Sequence, residues 1–86
     1  MQRYYFHFSN GTHWFTDRTG QELSGLRAAR AHALKDVREL KAALFERNIL
    51  DLTDWTMTVV NAAGRPVFVL GFDLRQRQAP PLFALN

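Results

Sequence analysis

Between Leu26 and Leu44 the apolar residues Leu26, Ala29, Ala33, Val37, Leu40 and Leu44 recur at three- and four-residue steps. That spacing places them on one stripe of a helix about five turns long, and a helix with a single apolar stripe must lay it against another layer. A chain of 86 residues has room for one core. The helix should begin with Ser24 as N-cap and end near Arg47, where Asn48 can adopt the left-handed conformation that closes a helix.

The flanking segments supply the other layer. Arg3-Tyr4-Tyr5-Phe6-His7-Phe8 is rich in residues that favour strands, and Asn10-Gly11 is the dipeptide best suited to a tight hairpin turn. A two-residue turn there pairs Phe8 with His13 and Phe6 with Phe15. One face then carries Tyr4, Phe6, Phe8, His13 and Phe15, and the other Arg3, Tyr5, His7, Trp14 and Thr16. Asp17-Arg18-Thr19-Gly20 reads as a turn toward the helix. Downstream, Trp55–Asn61 and Val67–Phe72 form a second hairpin about Ala63-Gly64. A two- or four-residue turn places Trp55, Met57, Val59, Phe68, Leu70 and Phe72 on one face, and a three-residue turn would destroy that pattern.

The expected architecture is α+β: ββαββ, two hairpins flanking one long helix, an antiparallel sheet with the helix on one face, spanning residues 1–73. Its core is Tyr4, Phe6, Phe8, Phe15, Leu26, Val37, Leu40, Leu44, Met57, Val59, Phe68, Leu70 and Phe72. Residues 74–86 read as a flexible tail containing Pro80-Pro81, whose apolar tip Leu82-Phe83-Ala84-Leu85 either stays mobile or docks on this domain or a neighbour.

Much chemistry is excluded by composition. The absence of Cys removes disulfides, thiolate nucleophiles and sulfur-ligated metals. Ser9 and Ser24 fall at turn and cap positions, and the glycines form no phosphate-binding pattern. His7, His13 and Asp17 are the one grouping with metal-ligand chemistry, but the expected register puts the two histidines on opposite faces. No catalytic residue, cofactor, metal or small-molecule ligand is therefore expected, and the chain is read as a non-enzyme. No apolar run approaches the ~20 residues of a membrane span and the first fifteen residues lack a signal-peptide core, so a cytoplasmic setting is expected.

Two surfaces remain. One helix cannot cover both sheet faces, which leaves Arg3, Tyr5, His7, Trp14, Thr58, Val60, Val67 and Val69 as a face for a protein partner or a second copy, or alternatively as a stacking platform for single-stranded nucleic acid. The valines favour protein contact and a homodimer. The second surface is a strip of Arg27, Arg30, Arg38 and Lys41 within about 80° on the helical wheel; with a net charge of +3 it suits either solvated surface or a nucleic-acid contact.

Arg3-Tyr4-Tyr5-Phe6-His7, Asn10-Gly11, Asp17, Gly20, Glu22-Leu23, Ala28-Ala29, Ala33, Arg38-Glu39-Leu40, Asn61, Gly64 and Phe72 together resemble a family of short, uncharacterised, mainly alphaproteobacterial proteins classed as a domain of unknown function. The resemblance spans residues 2–73 and implies domain boundaries and a bacterial cytoplasmic setting, with no known activity, ligand or catalytic residue. Family members often carry acidic helix positions where this chain has Arg27, Arg30 and Lys35. Over its first half the chain also resembles HicB-type antitoxins, which begin with a Tyr-containing hairpin leading into a helix; a regulator of that kind would use the basic strip.

Overall fold

The structure is a computed structural model and describes residues 1–49, 51–52, 54–73 and 76–77. Six strands and one helix follow in the order β1 (Gln2–Ser9), β2 (Trp14–Phe15), β3 (Gln21–Leu23), α1 (Leu26–Glu46), β4 (Thr56–Val60), β5 (Pro66–Gly71) and β6 (Gln76–Arg77). All pairings are antiparallel, in the order β2-β1-β4-β5-β6, with β3 sharing the outer side of β1. The expected ββαββ order is present, with β3 and β6 added. Gln76 and Arg77, expected as tail, pair with Leu70 and Val69. Residues 78–86 lie outside the described residues.

The first hairpin keeps its expected faces but shifts by two residues, pairing Phe8 with Phe15 and Ser9 with Trp14. The cause is the Asn10 side chain, whose Oδ1 accepts from the Thr12 and His13 amides at 3.0 and 2.8 Å and widens the turn. His13 is thereby in the turn and not in a strand. Phe15, expected in the core, is 48% exposed because it now meets Phe8 near the end of β1 and not Phe6 at its middle.

The second hairpin shows how the core pattern survives the turn length that should have destroyed it. Asn61 and Arg65 close a three-residue loop through Asn61 N–H to Arg65 O at 2.9 Å, with Gly64 at φ 82°. The odd residue is absorbed within β5: Val59 pairs with Phe68 and Val60 with Pro66, so Val67 is an unpaired bulge. Beyond it Met57 meets Leu70 and Trp55 bonds Phe72, as expected.

Ala29, Ala33 and Val37 of α1 are fully buried against Tyr4, Phe6, Met57, Val59, Phe68 and Leu70. Two alanines four residues apart let the helix backbone approach the sheet closely, so Leu40 and Leu44 pack on the border and Phe8 is only partly enclosed. Leu26, expected in the core, is 54% exposed in the first helical turn. The helix ends as expected: Asn48 has φ 63°, and the Ile49 and Asn48 amides donate to Leu44 O and Phe45 O in a Schellman arrangement.

Its start differs from expectation. The first helical bond runs from Ala29 N–H to Gly25 O, so Gly25 is the N-cap and Ser24 stands one residue too early. Gly25 is extended (φ 161°, ψ −169°), has space for a β-carbon, and no acidic residue occupies the first turn. Gly25→Asp should therefore supply both a capping oxygen and a charge at the positive helix end, raising stability by about 1 kcal/mol and Tm by about 5 °C in a thermal melt.

Candidate functional site

The outer side of β1 is built around Asp17. β3 pairs with Gln2–Tyr4 and β2 with Phe8–Ser9, which leaves a gap in the ladder at Phe6. Asp17 Oδ2 fills it by accepting from the Phe6 amide at 3.1 Å, while Oδ1 accepts from Thr19 and Gly20 at 3.0 Å each. The Asp17 amide in turn donates to His7 Nδ1 at 2.9 Å, which requires the imidazole proton to sit on Nε2. Burial lowers the His7 pKa, against the opposing pull of the Asp17 carboxylate. For Asp17 burial acts upward but is outweighed by the Gly20, Phe6 and Thr19 amides and by His7, so its carboxyl stays below the usual value.

Arg3, Tyr5 and His7 lie half-buried in a row above this clasp. Arg3 donates to Thr19 O at 2.8 Å and pairs with Glu22 at 3.3 Å, and Tyr5 stacks on His7 with centroids 6.5 Å apart. The Asp17-x-x-Gly20 spacing announces the turn that Oδ1 holds, and nothing in the sequence announces the completion of the ladder by Oδ2.

At the far end of the same edge Trp14 is 42% and Phe15 48% exposed, on opposite faces of β2. Phe15 stacks on Phe8 at 4.6 Å and lies 6.0 Å from Trp55, which continues to Phe72 at 5.9 Å. The aromatic row thus runs from the core to solvent.

Of the eight residues expected to form the partner face, Arg3, Tyr5, His7, Trp14, Thr58, Val60 and Val69 do share the outer side of the sheet. Val67 does not join them: displaced by the bulge, it packs against the core and lines a groove of about 300 Å³ with Leu26, Arg27, Arg30 and Phe68. Thr58, Val60 and Val69 are only 3%, 6% and 5% exposed. The centre of that face is closed, and its accessible part is the β1–β2 rim.

On the helix Arg27, Arg30 and Arg38 are exposed and Lys41 is half-buried, and none of the four forms a salt bridge among the described residues. The other side of the helix is acidic: Asp36 and Glu39 border a groove of about 330 Å³ floored by Phe6, Phe8, Leu40 and Met57. Burial raises the Asp36 pKa, against His32, whose Nε2 is 3.4 Å away, with Glu39 and Asp17 adding to the rise. His32 also packs on Phe6 at 4.6 Å. Among the described residues no three His, Cys, Asp or Glu side chains converge on a metal position, and no helix is long and apolar enough to cross a membrane.

Comparison with curated proteins and with solved structures finds no match to this chain. The family model of a domain of unknown function, DUF6894, matches residues 3–73, from the Arg3 end of β1 to the residue after Phe72. Both Asn-anchored hairpin loops, the Asp17 clasp and the buried alanine stripe fall within that span. The chain belongs to the DUF6894 family.

Proposed function

We propose that this chain is a non-enzymatic interaction module that self-associates through the β1–β2 rim of its sheet. One observation carries the reading: Trp14 and Phe15 are adjacent, both nearly half exposed, in the strand that ends the sheet. An edge strand offers unpaired backbone groups to another edge, and aromatic side chains dominate contact energies where they become buried. A second copy is the occupant that suits this edge. Residues 8–16 contain no Lys, Arg, Asp or Glu in a chain of net charge +3, so two copies related by a twofold axis can meet here without bringing like charges together.

Light scattering of the full chain should give a dimer mass that persists as salt is raised, with Trp14→Ala weakening the dimer about tenfold or more and leaving the far-ultraviolet circular dichroism unchanged. A monomer mass at every concentration would overturn the proposal. A second reading, nucleic-acid binding, is favoured by Arg27, Arg30 and Arg38 of the helix, which are exposed and form no salt bridge among the described residues. It demands binding that weakens with salt and is lost in Arg30→Glu/Arg38→Glu while Trp14→Ala has no effect.

A further inference from the structure

On the helix side of the sheet, the groove floored by Phe6, Phe8, Leu40 and Met57 is apolar below and acidic at its border, on a chain whose net charge is +3. Alternation along β1 sends Phe6 and Phe8 to the same face, and β4 sets Met57 opposite Phe8 between them and the helix. One turn of α1, from Asp36 to Leu40, runs along the border, so that Asp36, Glu39 and Leu40 stand on one flank of the helix. The volume of about 330 Å³ is at the small end of the roughly 300–1,000 Å³ of ligand sites, enough for one or two side chains.

The charges at the border lack a full complement. Glu39 is exposed and forms no salt bridge among the described residues, and Asp36 is paired there with His32 alone, at 3.4 Å. Burial pushes the Asp36 carboxyl up, Glu39 and Asp17 add to the rise, and His32 and Lys35 oppose it without cancelling it. A cation set into the groove would offset a repulsion that the neighbouring side chains leave standing. The basic residues Arg27 and Arg30 cannot do so within one molecule, because they line the groove on the opposite flank of the helix with Val67 and Phe68.

The apolar floor continues past the groove. Phe8 stacks on Phe15 at 4.6 Å, and Phe15 is 48% exposed and 6.0 Å from Trp55. A ligand that neutralises Asp36 and Glu39 and also covers Phe15 must carry its cations and its apolar groups on separate side chains. A peptide does this; a small amine does not. We propose that the groove binds a segment of a protein partner in which basic residues adjoin apolar ones, with the cations at Asp36 and Glu39 and the apolar side chains over Phe8 and Phe15. The site lies on the helix face of the sheet and goes beyond self-association, for which Trp14 on the outer face is the principal residue.

The probe is the synthetic peptide acetyl-Leu-Phe-Arg-Arg-amide, titrated into the full chain while the methyl resonances of Met57 and Leu40 are followed by nuclear magnetic resonance. Both should shift saturably. Acetyl-Leu-Phe-Glu-Glu-amide, acetyl-Gly-Gly-Arg-Arg-amide and phenethylamine should each bind at least tenfold more weakly, and Asp36→Asn/Glu39→Gln should weaken the first peptide about tenfold with circular dichroism unchanged. Should that double variant fail to fold, Glu39→Lys, a change at an exposed helix position, should still weaken binding several-fold. Equal binding of the charge-reversed peptide, undiminished binding in the variants, or no shift at Met57 and Leu40 would overturn the proposal. Tighter binding of phenethylamine than of the peptide would overturn it in favour of a small-amine site. Shifts at these methyls that follow protein concentration without peptide would overturn it in favour of a second copy in the groove. A chain that is monomeric and binds the peptide would remove self-association and leave this inference standing.

Discussion

Asp17→Ala is expected to destabilise the fold by about 3 kcal/mol, read from urea unfolding, because one carboxylate accepts from three backbone amides and each such bond to a charged group contributes roughly 1–2 kcal/mol net. The Phe6 amide suffers most, since it is left facing a gap between two strands. Asp17→Asn should recover part of the loss, as its amide oxygen can still accept. The same clasp sets the acid response. The His7 pKa is lowered on folding, so its contribution to stability is fully present above the unfolded value near 6.5 and is lost as pH falls through the lower folded value. Asp17 repeats this below its unfolded value of 3.8. Asp36, with its pKa raised, acts the other way, its ionisation penalty easing as it takes up a proton. Urea midpoints across pH should show a first decline beginning near 6.5 that is absent in His7→Phe; a decline unchanged in that variant would remove His7 from the explanation.

Gly20→Ala should cost about 2–4 kcal/mol, large against the roughly 4–13 kcal/mol expected for a domain of this size. Two effects add. Gly20 has φ 74°, where an L side chain costs about 1 kcal/mol or more, and an added β-carbon would stand 2.9 Å from Arg3 Cγ, 2.9 Å from Tyr5 Cε1 and 3.0 Å from the Tyr4 carbonyl oxygen. The two side chains can shift, but the carbonyl belongs to β1, which is held by strands on both sides. Gly11→Ala and Gly64→Ala share the positive φ yet meet nothing within 4 Å, so they serve as controls for conformational strain alone. A loss at position 20 no greater than at position 11 would show that crowding contributes nothing.

The helix and both hairpins were legible because they rest on local periodicity and turn chemistry. Which residues pair was less so. The first register depends on two hydrogen bonds from Asn10 Oδ1, and the second on a bulge at Val67, which no apolar pattern announces because it preserves that pattern. Phe15 and Leu26 left the expected core for geometric reasons, one through that register and the other through its place in the first helical turn. The Asp17 clasp was illegible for a different reason: the gap it fills arises only when β2 and β3 both pair with one strand.

That shared strand also orders events in time. β1 is synthesised first but takes its inner partner from β4, and the Tyr5–Val60 pairing spans 55 residues, the difference of their numbers. During translation the aromatic β1 can gain β2 and β3 early, while the edge destined for β4 waits for most of the chain to emerge. Loop-closure entropy makes that pairing the slow step, and until it forms Tyr4 and Phe6 stay accessible to chaperones and to other nascent chains.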